Sequence, residues 1–367
     1  MKLECAREKL RDAIGLAEKI TGKNLSLPIL NSVLLDASGR NLVIRATNLE
    51  LGIEIVLPCR VLKTGIAAVP GAVLFNFLSS LTAGTVALEV VAGNLVVSSP
   101  QHTTIIKGFP PADFPSLPRV VEGKQSFVIP GDYFLTALRA VAYSASTSLV
   151  KPEIASVCLY NHGGELAIVA TDSFRLAEKV FPPTVKINLT ATNLIIPTKN
   201  IPELIRVLET NTNEVAVEYN QHQISFQVGE IYLTSRLADG VYPDYRQIIP
   251  TVRSTEVVVL KNDLWEALKL LNIFVDRFGQ VTIVVSPADK RLEFTTSNDR
   301  GENTSRLAAT IEGEPITLAM NIKYLLDCFQ SINTDSLKLK FNGPNKPVVA
   351  QGVGEASFTY LIMPINR

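Results

Sequence analysis

The chain has 367 residues, of which 47% are hydrophobic and 19% are charged, and its 35 Lys and Arg residues balance 35 Asp and Glu residues. This composition excludes an intrinsically disordered chain, which has low hydrophobicity and high net charge. It also excludes a protein that is held on nucleic acid by bulk positive charge alone. The length predicts about two or three domains.

The beginning of the chain and its cysteines favour a reducing compartment. The first residues, MKLECAREKL, become charged at once and lack the apolar core of a signal peptide. No apolar run reaches the roughly 18 residues that a membrane span needs. The four cysteines are widely separated and form no C-x-x-C pair. We therefore expect a cytoplasmic protein without membrane association, disulfide framework or structural zinc site.

Three similar strand patterns recur along the chain. NLVIRATN ends at Asn48, ELAIVATD ends at Asp172 and RLEFTTSN ends at Asn298, so that the offsets are 124 and 126 residues. Each pattern alternates along its length and ends in a small hydroxyl residue followed by Asn or Asp, which is typical of a strand and its turn. The offsets, about a third of the chain, indicate an internal repeat.

Two helical patterns accompany each of these strands. The helices predicted upstream are amphipathic and span Glu4 to Ile20, Pro130 to Tyr143, and Asn262 to Val275. Asn262 or Asp263 is the predicted N-cap of the third of these helices. The helices predicted downstream start at a Pro or Asn residue, namely Pro70, Pro197 and Asn321.

Further alternating strands follow each second helix, with hairpin turns of Gly, Asn, His or Pro. Two Pro-rich segments, Phe109 to Pro118 and Asp239 to Pro250, separate the thirds and hold too many apolar residues for a flexible linker. We therefore predict an α+β protein of three similar domains, 1–122, 123–253 and 254–367. Each domain has an antiparallel sheet with two helices on one face.

The sequence contains no recognisable catalytic constellation. His102, His162 and His222 fall in predicted hairpin turns or strand ends and lack metal-ligand spacing. The segments TGKNLS and QGVGEAS lack the glycines of a nucleotide-binding loop. We therefore expect no enzymatic activity, no cofactor and no metal. Repeated domains joined head to tail can instead curve into an arc or stack into a solenoid. A two-fold dimer can close an arc into a ring.

Several motifs of the chain resemble those of the bacterial DNA polymerase III beta subunit family, the processivity sliding clamps. The motifs occur in the family's order and at matching intervals: the opening MKL with SLPIL, PPADFP, ATDSFRLA, DGVYPDYRQIIP and the terminal YLIMPINR. The likeness covers all three thirds of the chain.

The resemblance implies that the three domains form a crescent and that two crescents dimerise head to tail into a ring. Double-stranded DNA would thread the ring without sequence preference, with helices lining the hole. The ring would tether the DNA polymerase III catalytic subunit, the clamp loader complex and other proteins that carry a clamp-binding motif. A scaffold of the same fold without a role on DNA is the alternative, motivated by the zero net charge.

The resemblance also assigns residues to a partner-peptide cleft. The matching positions are Ile154, Thr171, Ser173, Phe174, Arg175, Leu176, Pro243, Gln247, Ile248, Leu361, Ile362, Met363, Pro364 and Ile365. The apolar members would form a pocket, and Arg175 and Thr171 would orient a partner's backbone or polar side chain. Ser173 and Phe174 replace the family's usual Gly-His, and Gln247 replaces a common Arg, which predicts a less cationic cleft.

Two further sets are implied in the same way. The DNA-facing set is Lys23, Asn24, Lys151 and Lys199. The dimer seam would join domain one, near Thr104 and Ile106, to domain three, near Ile273 and Phe274. Asn24 and Ala72 stand where well-known members have basic residues.

Overall fold

The computed structural model describes residues 1–22, 27–82, 84–120, 123–162, 164–182, 189, 193–211, 213–250 and 252–365. The chain folds into two compact units, Met1–Leu135 with Lys199–Leu237, and Thr136–Thr198 with Ala238–Arg367. Each unit contains two antiparallel sheets and the helices that pack on them.

The three thirds of the chain supply the following elements. The first third contains β1 (Lys2–Ala6), α1 (Arg7–Ile20), β2 (Ser32–Asp36), β3 (Leu42–Thr47), β4 (Leu51–Leu57), β5 (Arg60–Lys63), β6 (Ile66–Pro70), α2 (Gly71–Ser80), β7 (Thr85–Val91), β8 (Asn94–Ser98) and β9 (Thr103–Ile106). The second contains β10 (Gln125–Pro130), α3 (Gly131–Val141), β11 (Ser156–His162), β12 (Glu165–Thr171), β13 (Arg175–Val180), β14 (Asn193–Pro197), α4 (Ile201–Thr210), β15 (Glu214–Tyr219), β16 (Gln223–Val228) and β17 (Ile231–Arg236). The last contains β18 (Thr255–Leu260), α5 (Lys261–Leu271), β19 (Gln280–Ser286), β20 (Arg291–Asn298), β21 (Gly301–Ala308), β22 (Thr310–Gly313), β23 (Ile316–Asn321), α6 (Ile322–Asp327), β24 (Ser336–Phe341), β25 (Val348–Gly352) and β26 (Phe358–Ile362).

These elements repeat one order in each third: a strand, a long helix, a run of strands, a second helix and three closing strands. β3, β12 and β20 coincide with the three strand patterns that were found in the sequence. The predicted threefold repeat is therefore confirmed.

The first helix is shorter than the sequence pattern predicts. It begins at Arg7, whereas the prediction began at Glu4, because Lys2–Ala6 forms a strand that alternates between exposed and buried side chains. This strand pairs with β5 and β7. A segment of five residues is too short for its pattern to distinguish a strand from a helical turn, and here its pairing with two neighbouring strands makes it a strand.

The helix starts confirm the predicted start at Asn321 and correct the predicted cap of α5. Asn321 caps α6, since its side chain accepts a hydrogen bond from the backbone N of Lys323 at 2.9 Å. The predicted cap of α5 at Asn262 or Asp263 is wrong, because this helix starts one residue earlier and Leu260 occupies the cap position. After Pro197, a short 3-10 helix precedes α4.

The strands of each third are divided between two sheets. The first unit holds the sheets β5-β1-β7-β8-β9 and β10-β15-β16-β17-β4-β3-β2-β6, and the second holds β14-β11-β12-β13-β26-β25-β24-β18-β22 and β21-β20-β19-β23. The predicted antiparallel sheets are confirmed, and the structure adds that sheets run across the boundaries between thirds.

Two equivalent junctions create these shared sheets. In the first unit β17 pairs with β4, from Ile231 opposite Ile55 to Ser235 opposite Leu51. In the second unit β26 pairs with β13. In both cases the last strand of one third joins the same strand of the preceding third. Their counterparts β9 and β21 each have a neighbour on one side only among the described strands.

The Pro-rich segment that ends the first third is ordered, as predicted. Phe109 and Phe114 pack against a buried cluster that includes Leu30, Leu34 and Ala68. The backbone N of Phe109 donates to the carbonyl O of Ala68 at 2.8 Å. The predicted boundary at residue 122 lies outside the described residues.

Within the described ranges, no helix combines the length and apolar character that crossing a bilayer requires.

Candidate functional site

A tight turn between β12 and β13 presents Phe174 to solvent. The hydroxyl of Thr171 donates to the carbonyl O of Arg175 at 2.7 Å, and Asp172 Oδ1 accepts from the backbone N of Phe174 and Arg175, each at 2.9 Å. Ser173 has φ +77°, in the left-handed region that favours glycine. The turn leaves Phe174 61% exposed.

The first third repeats this turn. Thr47 Oγ1 donates to the carbonyl O of Leu51 at 2.9 Å, and Asn48 Oδ1 accepts from the backbone N of Leu51 at 2.8 Å. Leu49 has φ +76°. The hydroxyl-plus-Asn/Asp signal is therefore a local turn device. Thr171 serves this turn, whereas the sequence reading gave it a role in orienting a partner.

Arg175 is an internal residue, although the sequence reading placed it on a partner's backbone. It is 9% exposed, its Nε donates to Asp172 Oδ2 at 3.0 Å, and its Nη2 donates to the carbonyl O of Tyr143 at 2.6 Å. Its Nη1 donates to Asp327, and its guanidinium lies 4.6 Å from the ring centre of Tyr324. Burial acts to lower the pKa of Arg175, but the surrounding phenolic and carboxylate oxygens raise it above its ordinary value.

Leu176 and Leu361 form the floor of the site. They lie opposite each other on β13 and β26, and Val349 lies opposite Leu361 on the next strand. Leu176 is 1% exposed and Leu361 is 3% exposed, because Tyr242 and Tyr245 pack in the same buried cluster. The sequence predicted that these two leucines line an open pocket. In this structure they are buried and do not line one.

The two tyrosines fix the Pro-rich exit segment of the second third onto this sheet. Tyr242 Oη donates to the carbonyl O of Val169 at 3.4 Å, and Tyr245 Oη donates to Glu178 Oε1 at 2.5 Å. Burial raises the pKa of Tyr245, and the Glu178 carboxylate raises it further. The segment is thus ordered, as predicted for Asp239 to Pro250.

The surface of this cluster carries the remaining predicted residues. We call it the tail patch and define it by Phe174, Pro243, Gln247, Ile248 and Met363. Ile248 is 54% exposed, and the backbone N of Met363 donates to the carbonyl O of Phe174 at 2.8 Å. Met363 directly follows β26, and this bond places it beside the turn that carries Phe174. The residues of the tail patch are thus close in the chain to Leu176, Leu361, Tyr242 and Tyr245 of the buried cluster.

Other predicted cleft residues lie inside the protein. Ile362 is 0% exposed and Ile154 is 7% exposed, and Pro364 is also buried. The half-buried Ile365 is held in place, since its backbone N donates to the carbonyl O of Ala319 at 2.7 Å. These residues are therefore not exposed members of the tail patch.

The tail patch has little positive charge of its own. Gln247 Nε2 donates to Asp244 Oδ2 at 2.7 Å. The nearby Arg246 is paired with Glu165 at 3.1 Å and lies 3.6 Å from Glu178. Since Arg175 is internal, the patch is apolar and close to neutral, which agrees with the predicted departure from a cationic cleft.

The predicted DNA-facing residues have different environments. Lys151 is exposed. Lys199 lies 3.8 Å from Glu50 and is therefore paired within its own unit. Lys23 and Asn24 lie outside the described residues.

On the first-third side of the predicted dimer seam, the two neighbouring isoleucines of β9 differ in exposure. Ile106 is 3% exposed and faces the core of its sheet, whereas Ile105 is 67% exposed. Thr104 is half-buried. Ile105 is therefore the exposed isoleucine of β9.

On the last-third side, Ile273 is 66% exposed and remains available. Phe274 is half-buried and packs beside Gly301, where β21 begins: a Cβ built on this glycine would lie 3.2 Å from the Phe274 ring. Phe274 thus has an internal packing role beside the edge strand.

Sequence reasoning missed the residues that hold Arg175. Tyr143, Tyr324 and Asp327 carry no motif, and Asp327 is 152 positions away from Arg175 in the chain. The amphipathic pattern of the helical segments that carry them does not indicate that these side chains contact a buried arginine. In the part of the chain that the structure describes, no group of three or more His, Cys, Asp or Glu residues could hold a metal ion.

Comparison with known proteins gives consistent results for all three thirds. Models of the N-terminal, central and C-terminal domains of the DNA polymerase III beta subunit match residues 1–118, 128–244 and 246–366. The beta sliding clamp of Synechococcus elongatus is 29% identical over 375 residues, which cover 100% of this chain and 99% of that protein. The beta sliding clamp of Staphylococcus aureus is 26% identical over 360 residues, or 95% and 94% of the two chains.

Solved structures share the fold over the whole chain. The Thermotoga maritima DNA polymerase III beta subunit superposes with a TM-score of 0.93 at 24% identity and covers 100% of this chain and 99% of that chain. A Pseudomonas aeruginosa DNA polymerase sliding clamp, solved with a ligand, gives a TM-score of 0.94 at 24% identity with complete coverage of both chains. The repeated domains and shared sheets thus define a three-domain clamp. The chain belongs to the DNA polymerase III beta subunit family, the bacterial sliding clamps.

Proposed function

We propose that two copies of the chain close into a ring around double-stranded DNA and act there without catalysis. The observation that carries this proposal is the pair of incomplete edges, β9 and β21. Their counterparts are paired in the two internal junctions, β17 with β4 and β26 with β13. An open strand edge is a template for pairing with another chain, so a second copy can supply the missing neighbour of each edge.

The same argument gives the symmetry of the assembly. Each copy offers both edges, and a seam between β9 of one copy and β21 of another is heterologous. Two such seams related by a two-fold axis close a ring of two copies, whereas a rotation that does not close gives an open filament. The exposed side chains Ile105 and Ile273 lie beside these edges and would be buried in the two seams.

A ring that encircles DNA does not need strong electrostatic attraction to the phosphates in order to stay bound. The chain has a formal net charge of zero, and a protein held by attraction would instead present many Lys and Arg contacts to phosphates. Lys151 is exposed and suits a weak backbone contact without base readout. We place the protein in the cytoplasm, where bacterial DNA is replicated.

The tail patch is the proposed docking site for partner proteins. Its exposed Phe174 and Ile248 and its adaptable Met363 suit an apolar peptide segment. The DNA polymerase III catalytic subunit, the clamp loader complex and other proteins with a clamp-binding motif are the proposed partners. The near-neutral surface predicts peptides that bind through apolar side chains more than through acidic ones.

The decisive experiment compares two forms of one DNA. The protein is loaded by its clamp loader onto a nicked circular plasmid, the excess is removed by gel filtration, and half the sample is linearised with a restriction enzyme. We expect the protein to stay on the circle and to escape from the linear form, because only the circle has no ends. Equal retention on both forms would contradict encirclement and indicate binding by attraction, whereas absence from both forms would favour a scaffold without a role on DNA.

Met363→Ala is expected to weaken peptide binding by about 1–3 kcal/mol, as for an interface anchor. Binding is measured by fluorescence anisotropy of a labelled pentapeptide rich in Leu and Phe. Val353→Ala is the matched control, since Val353 is an apolar residue of the same unit with 40% exposure outside the tail patch. Equal affinities of the Met363 variant and the control would show that the tail patch is not the docking site.

A further inference from the structure

Two of the four free cysteines lie close to each other, Cys5 on β1 and Cys59 in the connection immediately before β5. The ladder between β1 and β5 places Leu3 opposite Val61 and Glu4 opposite Arg60. Continuing this antiparallel register by one residue places Cys5 opposite Cys59. The adjacent pair supports the register, since Arg60 Nη1 lies 3.5 Å from Glu4 Oε2.

Both thiols also point to the same side of the sheet. Directly opposite residues of an antiparallel pair share a face. On β1 the inward residues are Leu3 and Cys5, which is 6% exposed. On the facing segment Cys59 and Val61 are half-buried, whereas Arg60 is exposed. Cys5 and Cys59 are therefore inward neighbours. By contrast, Cys158 lies opposite Val169 and Ile195 and has no cysteine across its ladders.

The geometry of such a pair is close to that of a disulfide. Opposite residues of antiparallel strands have Cα atoms about 4.5–5.5 Å apart, within the range of about 4.4–6.8 Å found across disulfides. Their Cβ atoms, about 4.5–5.5 Å apart, must approach to about 3.5–4.5 Å. β5 is an edge strand of its sheet and can make this small movement.

We propose that Cys5 and Cys59 form a reversible disulfide when the protein meets a peroxide. The sulfur of Cys59, the more accessible thiol, attacks a peroxide oxygen, breaks the O–O bond and becomes a sulfenic acid as one water leaves. The sulfur of Cys5 then attacks the sulfenic sulfur, an S–S bond forms, and a second water leaves. Two thiols and one hydrogen peroxide thus give one disulfide and two waters, and a dithiol reductant reverses the reaction.

The chemical environment of the two thiols slows their oxidation at neutral pH. Burial, with a smaller contribution from the neighbouring Cys59, raises the pKa of the Cys5 thiol to about 12. Burial also raises the pKa of Cys59. Because the thiolate is the nucleophile, both groups react slowly at neutral pH. Once formed, a disulfide that needs strand movement is the labile kind that thiols reduce readily.

The bond would attach the connection between the two sheets of the first unit to β1. Cys59 lies on the two-residue connection between β4, in the eight-stranded sheet, and β5, in the five-stranded sheet. Linking it to β1 would fix this connection and prevent fraying of β5 from the sheet edge.

The test is a count of alkylatable thiols in the native wild-type protein before and after hydrogen peroxide. After quenching, denaturation and alkylation, intact mass should show four labelled thiols before oxidation, two after it, and four again after dithiothreitol. Peptide mapping should find the Cys5–Cys59 link, with Cys158 and Cys328 still alkylated. Cys59→Ser, a substitution at a half-buried site, should form no intramolecular disulfide. Four labelled thiols after peroxide, or a link to Cys158, Cys328 or a second copy, would overturn the proposal.

Discussion

Arg175→Ala is expected to lower the free energy of unfolding by about 3 kcal/mol, the order found when one partner of a buried ion pair is removed. The substitution leaves Asp172 and Asp327 without their shared cation, and it leaves the carbonyl O of Tyr143 without its donor. It also removes the planar group that lies over the Tyr324 ring. Urea denaturation followed by circular dichroism measures the change.

A matched control separates this effect from the loss of any arginine ion pair. Arg306 also belongs to the second unit and bonds Glu293 at 2.7 Å, but its side chain is 67% exposed. Arg306→Ala is therefore expected to change the stability by at most about 1 kcal/mol. Arg175→Lys should fall between the two, because one ammonium cannot reproduce the three directed bonds of a guanidinium. Equal effects of Arg175→Ala and Arg306→Ala would show that the buried network contributes no more than a surface pair.

The network also shows where sequence reasoning succeeds and where it stops. The turn at Thr171 and Asp172 is predictable, because the hydroxyl and carboxylate bond backbone groups within four residues. The ion pair of Arg175 with Asp327 is not, because nothing local distinguishes a helical aspartate that meets a buried cation from a solvated one. Motif matching singled out Arg175 but predicted that its side chain contacts a partner, whereas the structure shows it inside the protein.

The seam offers a second example. The strand β9 reads TTII, and its alternation requires that Ile105 and Ile106 point to opposite faces. Both residues are isoleucine, so the sequence does not say which face is inside, and the choice depends on packing under the five-stranded sheet. The shared sheets are also invisible to a pattern analysis, because the pairing of β17 with β4 joins segments far apart in the chain.

Ile273→Asp is expected to dissociate the proposed ring. In a head-to-tail dimer with two identical seams, one substitution per chain places one unpaired carboxylate in each seam. Burying such a charge costs about 3 kcal/mol or more, which corresponds to about a 100-fold loss in affinity at each seam. Sedimentation velocity should show the mass falling from twice 40.0 kDa to 40.0 kDa.

Two companion variants make this result specific. Ile105→Asp, on the other side of the seam, should dissociate the dimer in the same way and leave the circular dichroism spectrum unchanged, because Ile105 is 67% exposed in the single chain. Ile106→Asp should instead destabilise the fold itself, since Ile106 is 3% exposed and faces the core. If the Ile273→Asp protein is natively folded and still sediments as a dimer, the seam lies elsewhere. If the wild-type protein sediments as a monomer at micromolar concentration, the chain does not form a stable ring. The contrast between neighbouring isoleucines therefore tests both the edge pairing and the face that the structure assigns to each side chain.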